Sequence, residues 1–254
     1  MTHAFDPTFE QLLAAAQAET FSGWDFTRYA DRWSEAAPTW DYAGLVRAAV
    51  AHADALLDMD TGGGEFLAAL APLPPMTVAT ENYPPNIPLA KARLEPLGVQ
   101  VLSPADDEHL SFADGTFDLI HNRHGYFRAE ELFRLLRPGG RFITQQVGGD
   151  NGARLNEALG APAMEYADYQ LAPTVAALEA AGFHIDQTAE EFPASIFRDV
   201  GMVVIFLRII EWQIPDFDAD RYRPQLYALH QRIQRDGSFN ARAHRFLIQA
   251  HKPA

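Results

Sequence analysis

The residues of this chain whose types and spacing could do chemistry begin with Asp58. It ends an apolar run, Ala55-Leu56-Leu57; three glycines follow at 62–64, and Glu65-Phe66-Leu67-Ala68-Ala69-Leu70 then reads as the start of a helix. A strand, a glycine turn and a helix in that order bring bare backbone against a nucleotide, because glycine has no Cβ and reaches positive φ cheaply. Glu81 closes a second apolar run, Met76-Thr77-Val78-Ala79-Thr80, roughly 20 residues further on, where an acid can accept both hydroxyls of a ribose. A second cluster is His121-Asn122-Arg123-His124, after the apolar stretch Thr116–His121. Histidine titrates near neutrality, so His124 is a candidate general base and His121 a weaker one. The plain alternative is that these side chains only bond backbone at a strand end. Gln145 and Gln146 can bind a polar substrate or simply cap the sheet.

The pattern argues against several chemistries. A nicotinamide fingerprint wants G-x-G-x-x-G, but from Gly62 the order is Gly62, Gly64, Leu67, and the third glycine is missing. No G-K-[ST] follows the glycines, no G-x-S-x-G elbow exists, and no H-E-x-x-H or similar spacing suggests a metal. The loop instead resembles the first motif of class I S-adenosylmethionine-dependent methyltransferases, an acid followed by x-G-x-G-x-G. Asp58, Gly62 and Gly64 match that motif, while Asp60 stands where the first glycine belongs.

The resemblance covers about 54–147. Asp106-Asp107-Glu108-His109-Leu110-Ser111-Phe112 lies where the family has an acid that contacts the adenine amine; Asp106 is the first choice for it and Asp107 the close competitor. Ala113–Ile120 is close to the family's turn and fourth strand, and Leu135-Leu136-Arg137-Pro138-Gly139-Gly140 looks like its turn before strand five. The resemblance implies S-adenosylmethionine as cofactor, with Asp58, Asp60, Gly62, Gly64, Glu81, Asp106, Asp107 and Asn122 around it and His124 on the acceptor side. The Asp60 charge near the cofactor's carboxylate would be unfavourable. Two rivals remain: a non-catalytic module that binds this cofactor or a related nucleoside for a protein partner, and a nicotinamide oxidoreductase.

The elements that must position these residues alternate along the chain. Helices are expected over Pro7–Ala18 (with Asp6 as N-cap), Trp40–Ala53, Pro84–Gly98 and Arg128–Leu136, with strands at 55–58, 76–80, 99–102, 116–121 and 141–147. Further on, a helix over 173–181, a strand over 183–191, helical patterns over 195–212 and 221–235, and a last strand over 243–251 are expected. This predicts an α/β fold with a doubly wound, mostly parallel seven-stranded sheet and a helical insertion before the last strand. The expected domains are an N-terminal arm or lid over 1–40, a core over 41–194 and 241–254, and an insertion or cap over 195–240. The apolar run Val203–Ile210 serves as core, as a pocket wall with the arm's aromatics, or as a dimer contact.

Composition narrows the partners. Of 254 residues, 48% are hydrophobic and 21% charged, and there is no cysteine, which excludes disulfides and thiolate metal sites. The formal charge of −14 argues against nucleic acid, whose binders carry basic patches. The expected acceptor is a small molecule, with a homodimer as an option. Without a signal-like start or an apolar run long enough for a membrane span, a cytoplasmic location is the default expectation.

Overall fold

Ala55–Met59 forms a strand in which every side chain is buried, and a strand so enclosed belongs inside a parallel sheet with helices on both faces. The structure, a computed structural model, describes residues 5–21, 26–104 and 109–254. In chain order the strands are β1 Trp33–Glu35, β2 Ala55–Met59, β3 Met76–Thr80, β4 Gln100–Leu102, β5 Phe117–Arg123, β6 Leu136–Val147, β7 His184–Glu191, β8 Ser195–Phe197, β9 Phe239–Asn240 and β10 Arg245–His251. The helices are α1 Pro7–Ala18, α2 Tyr42–Val50, α3 Glu65–Ala68, α4 Ile87–Leu94, α5 Ala129–Leu135, α6 Ala153–Leu159, α7 Leu171–Ala180, α8 Val200–Ile209 and α9 Arg223–Asp236. Contacts divide the chain into two compact units. The first takes the segments up to Pro38, Gly148–Tyr169 and Glu191–His244; the second takes Thr39–Val147, Gln170–Glu190 and Arg245–Ala254.

The second unit carries a seven-stranded sheet in the order β4-β3-β2-β5-β6-β10-β7. β3 and β5 flank β2 in parallel, β4 and β6 extend the sheet in parallel, and β10 runs antiparallel to β6. The chain therefore winds outward from β2 through β3 and β4, then returns to the other side of β2 with β5. That reversal is the switch point at which α/β sheets open a crevice beyond the strand ends. One core packs Tyr42, Val46 and Val50 of α2 and Ala90 and Leu94 of α4 against Leu56, Ala79, Leu119, Ile143 and Leu247 of the sheet.

Two details of this unit depart from the expected layout. No helix joins β4 to β5 among the described residues; instead α5 holds the connection. Glu131 accepts from the Leu110 amide at 2.7 Å, and Arg134 donates to the Leu110 and Phe112 carbonyls and to Asp114. Burial pushes the Glu131 carboxyl up, but the Arg134 bonds and the Leu110 amide outweigh it and hold the group below its usual range. The second departure is that β6 begins at Leu136, before Arg137-Pro138-Gly139-Gly140. Phe117 pairs with Leu136 and Leu119 with Arg141, so those four residues form a bulge and not a turn. Gly139 sits at φ 77° and donates to the Lys252 carbonyl, while the Lys252 ammonium bonds the Phe133 and Leu136 carbonyls at the end of α5.

The first unit has its own core and its own sheet. Asp6 caps α1 through the Thr8 and Phe9 amides, with Pro7 in the first turn, and α1 buries Phe9, Leu13 and Ala16 with Met202, Val203 and Leu207 of α8. Residues 195–197, expected as helix, are strand: β1, β8 and β9 form an antiparallel sheet, with Trp33 opposite Phe197 and Phe197 opposite Phe239. A three-residue strand has no period to separate it from the helix that follows. Asp199 starts that helix by accepting from the Met202 amide and also takes both arms of the Arg32 guanidinium at 2.6 and 2.8 Å. From Val200 to Ile205 every residue of α8 is buried in this core, as is Leu207. The width of its apolar surface is accounted for inside the unit, as for any helix apolar all round.

Asp199→Ala removes a cap and leaves a half-buried guanidinium without its partner. The expected loss is about 2 kcal/mol of stability, against under about 0.5 kcal/mol for Arg198→Ala at an exposed site. Urea midpoints with unchanged slopes would read both.

Candidate active site

The glycine turn follows directly from β2. Its first residue beyond the strand, Asp60, adopts φ 58°, a left-handed conformation that aspartate reaches more readily than most side chains. The Asp60 amide lies 3.3 Å from Thr80 Oγ1, and the Thr61 amide donates to the Thr80 carbonyl at 2.9 Å, so the turn is anchored on the end of β3. Gly62 and Gly64 are also left-handed, at φ 65° and 81°. They differ in what surrounds them. A Cβ on Gly64 would come within 2.7 Å of Leu94, whereas one on Gly62 would meet no protein atom within 4 Å. Gly64 serves the packing of α3 on α4; Gly62 turns an open backbone outward. Helix α3 itself stops at Ala68, shorter than its sequence suggests.

Asp58 is 4% exposed. Its Oδ2 accepts from Thr61 Oγ1 at 2.6 Å, and its Oδ1 lies 3.3 Å from Nδ1 of His121, directly across on β5. Burial raises the Asp58 carboxyl above its ordinary value, with Glu81 adding to the rise, while His121 and Thr61 oppose it. Burial lowers His121, with Asp58 opposing. Both shifts favour the neutral forms, and neither ring nitrogen of His121 makes a well-formed hydrogen bond. The Phe66 ring stands edge-on to His121 and stacks with Tyr42, whose hydroxyl donates to the Asn122 carbonyl. The acid is thus sealed on the protein side.

Glu81 follows β3 and is 5% exposed. Its Oε1 accepts from the Tyr83 amide at 2.6 Å and its Oε2 from Asn86 Nδ2 at 3.3 Å. A carboxylate has about four acceptor positions, so lone pairs remain for a diol. Asp106 and Asp107 lie outside the described residues.

On β5, Asn122 is fully buried. Its Oδ1 accepts from Gln146 Nε2 at 2.5 Å and its Nδ2 points to the Met59 carbonyl at 3.3 Å. Gln146 also bonds Thr144 and the Gly125 carbonyl. Gly125 is required here, because a Cβ would run into the Asp60 carboxylate and within 2.7 Å of Asn122 Nδ2. His124 has φ 66°, and its Nε2 lies 3.0 Å from Gln145 Nε2. Surrounding protein, then Arg245 and Arg123, push the imidazole below its ordinary value. The residue is exposed at its surface, so water screens part of that effect. It is neutral at physiological pH.

The structure brings Asp58, Asp60, Gly62, Gly64, Glu81 and Asn122 to the carboxyl ends of β2, β3 and β5, with His124 just beyond β5. Sequence reasoning missed Thr61, Thr80, Tyr42 and Gly125. Only Thr61, three residues from an acid in a turn, carried a readable signal.

Two outcomes follow from this geometry. Gly62→Ala is expected to cost about 1–2 kcal/mol of left-handed strain, and Gly64→Ala that amount plus about 1–3 kcal/mol of overpacking on Leu94, read as urea midpoints. The folded pKa of Asp58 lies above its unfolded value, so the native state gives up stability as pH rises from about 3.8 through the folded value. Asp58→Asn is therefore expected to raise the melting temperature of the ligand-free protein at pH 7, with the gain vanishing near pH 4.

The comparisons with known proteins agree with this geometry. Residues 57–144 match the family described as a methyltransferase domain. The chain resembles in structure a candidate methyltransferase from Bacillus halodurans, 20% identical, with 84% of this chain and 99% of that one covered and a TM-score of 0.60. It also resembles the YcgJ protein of Bacillus subtilis (18% identical, 84% and 98% covered, TM-score 0.57). A third likeness is an S-adenosylmethionine-dependent methyltransferase from Mesorhizobium loti (14% identical, 84% and 98% covered, TM-score 0.50). No curated protein matches the sequence. At these identities the solved structures establish the fold, and the domain match supplies the chemistry. Residues 57–144 of this chain thus match a methyltransferase domain set in the sheet described above, as the resemblance of the glycine turn implied.

Proposed function

We propose that the chain methylates a small molecule, and that the turn at 58–64 with Glu81 and Asn122 is where S-adenosylmethionine binds. The observation that carries this reading is Asp58: a buried carboxylate raised above its ordinary value, at the switch point, beside an outward-facing glycine backbone. Such a group is short of a positive charge, and the cofactor brings a sulfonium and an ammonium. The residues present fit the group, with acids at Asp58 and Glu81 and a cradle at Gly62. Asp106 and Asp107 remain our candidates for the adenine amine.

The cofactor supplies a methyl group already activated on sulfur. The chain's part is to hold the two reactants in line and exclude water, which is chiefly a matter of position. Asp58 and Glu81 bind and orient; Asn122, locked by Gln146 and Met59, fixes the end of β5; His124 stands on the acceptor side. The domain match at 57–144 names no acceptor, since the fold alone does not fix a substrate. The formal charge of −14 favours a small acceptor over a polyanion.

Calorimetry should show binding of S-adenosylmethionine and none of NAD; the reverse would overturn the reading. Glu81→Gln keeps an oxygen for the Tyr83 amide and is expected to weaken cofactor binding by on the order of 1.5–3 kcal/mol. Asp60→Gly removes both a charge and left-handed strain, so it should tighten binding. Weaker binding would instead give Asp60 a positive role, such as holding the cofactor's amino group.

A further inference from the structure

His124 stands where a general base would be sought, yet its hydrogen bonding assigns it another part. Trp40 Nε1 donates to Gln145 Oε1 at 2.7 Å. An indole nitrogen can only donate, so this bond sets which way the Gln145 amide faces. With the oxygen turned to Trp40, the amide nitrogen faces His124, 3.0 Å from its Nε2. An amide nitrogen has no lone pair to offer, so it must donate and the ring nitrogen must accept. His124 Nε2 is then unprotonated, and the ring's one proton lies on Nδ1. Gln145 is 6% exposed and has little room to turn over. Among the described residues the charges that bear on His124 are Arg245 of β10 and Arg123 of β5, and both oppose an imidazolium.

We propose that Trp40 and Gln145 are positioning residues that fix His124 as the neutral Nδ1–H tautomer, so that it donates a hydrogen bond to the methyl acceptor and does not remove a proton from it. The part of the proposal that names the acceptor rests on the methyltransferase reading; the tautomer does not. The group that meets His124 is then a hydrogen-bond acceptor, an oxygen or an anion, in keeping with the two guanidiniums beside it. For His124 to act as a base at Nε2, the Gln145 bond would have to break first.

The test is the two-bond nitrogen–proton NMR spectrum of the full-length, labelled protein, with His124 assigned by its loss in His124→Asn. The expected wild-type pattern is pyridine-type Nε2 and pyrrole-type Nδ1 from pH 6 to 8. Gln145→Glu offers a carboxylate that accepts from both Trp40 and His124. It is expected to move the proton to Nε2 and raise the apparent pKa by about one unit or more. Trp40→Phe frees the amide and should yield both tautomers. A pyrrole-type Nε2 in the wild type, or an unchanged pattern in Gln145→Glu, would overturn the proposal. S-adenosylmethionine calorimetry on the same samples separates the two ideas. A fixed tautomer in a protein that binds no cofactor removes the methyltransferase reading, while binding with the wrong tautomer removes only the role given to His124.

Discussion

A carboxylate at the end of a central parallel strand has sheet on both sides and little water to face. Asp58 is in that position, and the protein answers it only in part. Thr61 donates one hydrogen bond, and His121 lies close without a well-formed one. Neither brings a full positive charge, since burial keeps the imidazole neutral. The pair is left with an unmet electrostatic demand at the point where the strand order reverses. Much of the surrounding architecture follows from that. The turn at 60–64 carries the chain away over Gly62 with its backbone open, Gly64 lets α3 pack on Leu94, and Phe66 and Tyr42 close the apolar side.

The carboxyl end of β6 shows how a sheet can hold two different polar arrangements side by side. Successive side chains on a strand point to opposite faces. Gln146 accordingly joins Asn122, Thr144 and the Gly125 carbonyl, while Gln145 joins Trp40 and His124. In each set an amide is oriented by a neighbour whose own role is not in doubt: the Met59 carbonyl for Asn122, the Trp40 indole for Gln145. Buried amides anchored in this way act as fixed dipoles, and fixed dipoles set the protonation of whatever they touch.

The first unit solves a different problem. Its parts come from three separate stretches of chain: strand pairing joins the first to the third, and the Gly152 amide of the second donates to the Arg242 carbonyl of the third. β1 from the N-terminal segment pairs with β8, β8 pairs with β9, and Arg32 reaches Asp199 at the start of α8. Asp199 does two things at once, capping the helix and holding the arginine. The N-terminal segment is therefore held by a strand ladder and an ion pair as well as by its apolar face.

What the sequence by itself determined were the features that local physics controls. The cap at Asp6 and Pro7, the buried run at 55–59, the glycine turn and the succession of strands and helices along the chain are set by dihedral preference and hydrophobic period. These act over a few residues and can be read without neighbours. The placement of Asp58, Gly62, Gly64 and Glu81 at and just beyond the ends of β2 and β3 was legible for that reason. The tertiary structure alone decided what pairs across long stretches of chain. It brought β5 back beside β2, so that His121 faces Asp58, and it made Arg137–Gly140 a bulge stitched to Lys252 where a turn was expected. It turned Ser195–Phe197 into strand, placed Gly125 against Asp60, and gave Trp40 control over Gln145. Which partner wins such a pairing depends on loop closure and on how whole faces pack, quantities that belong to the assembled chain and to no single window of residues.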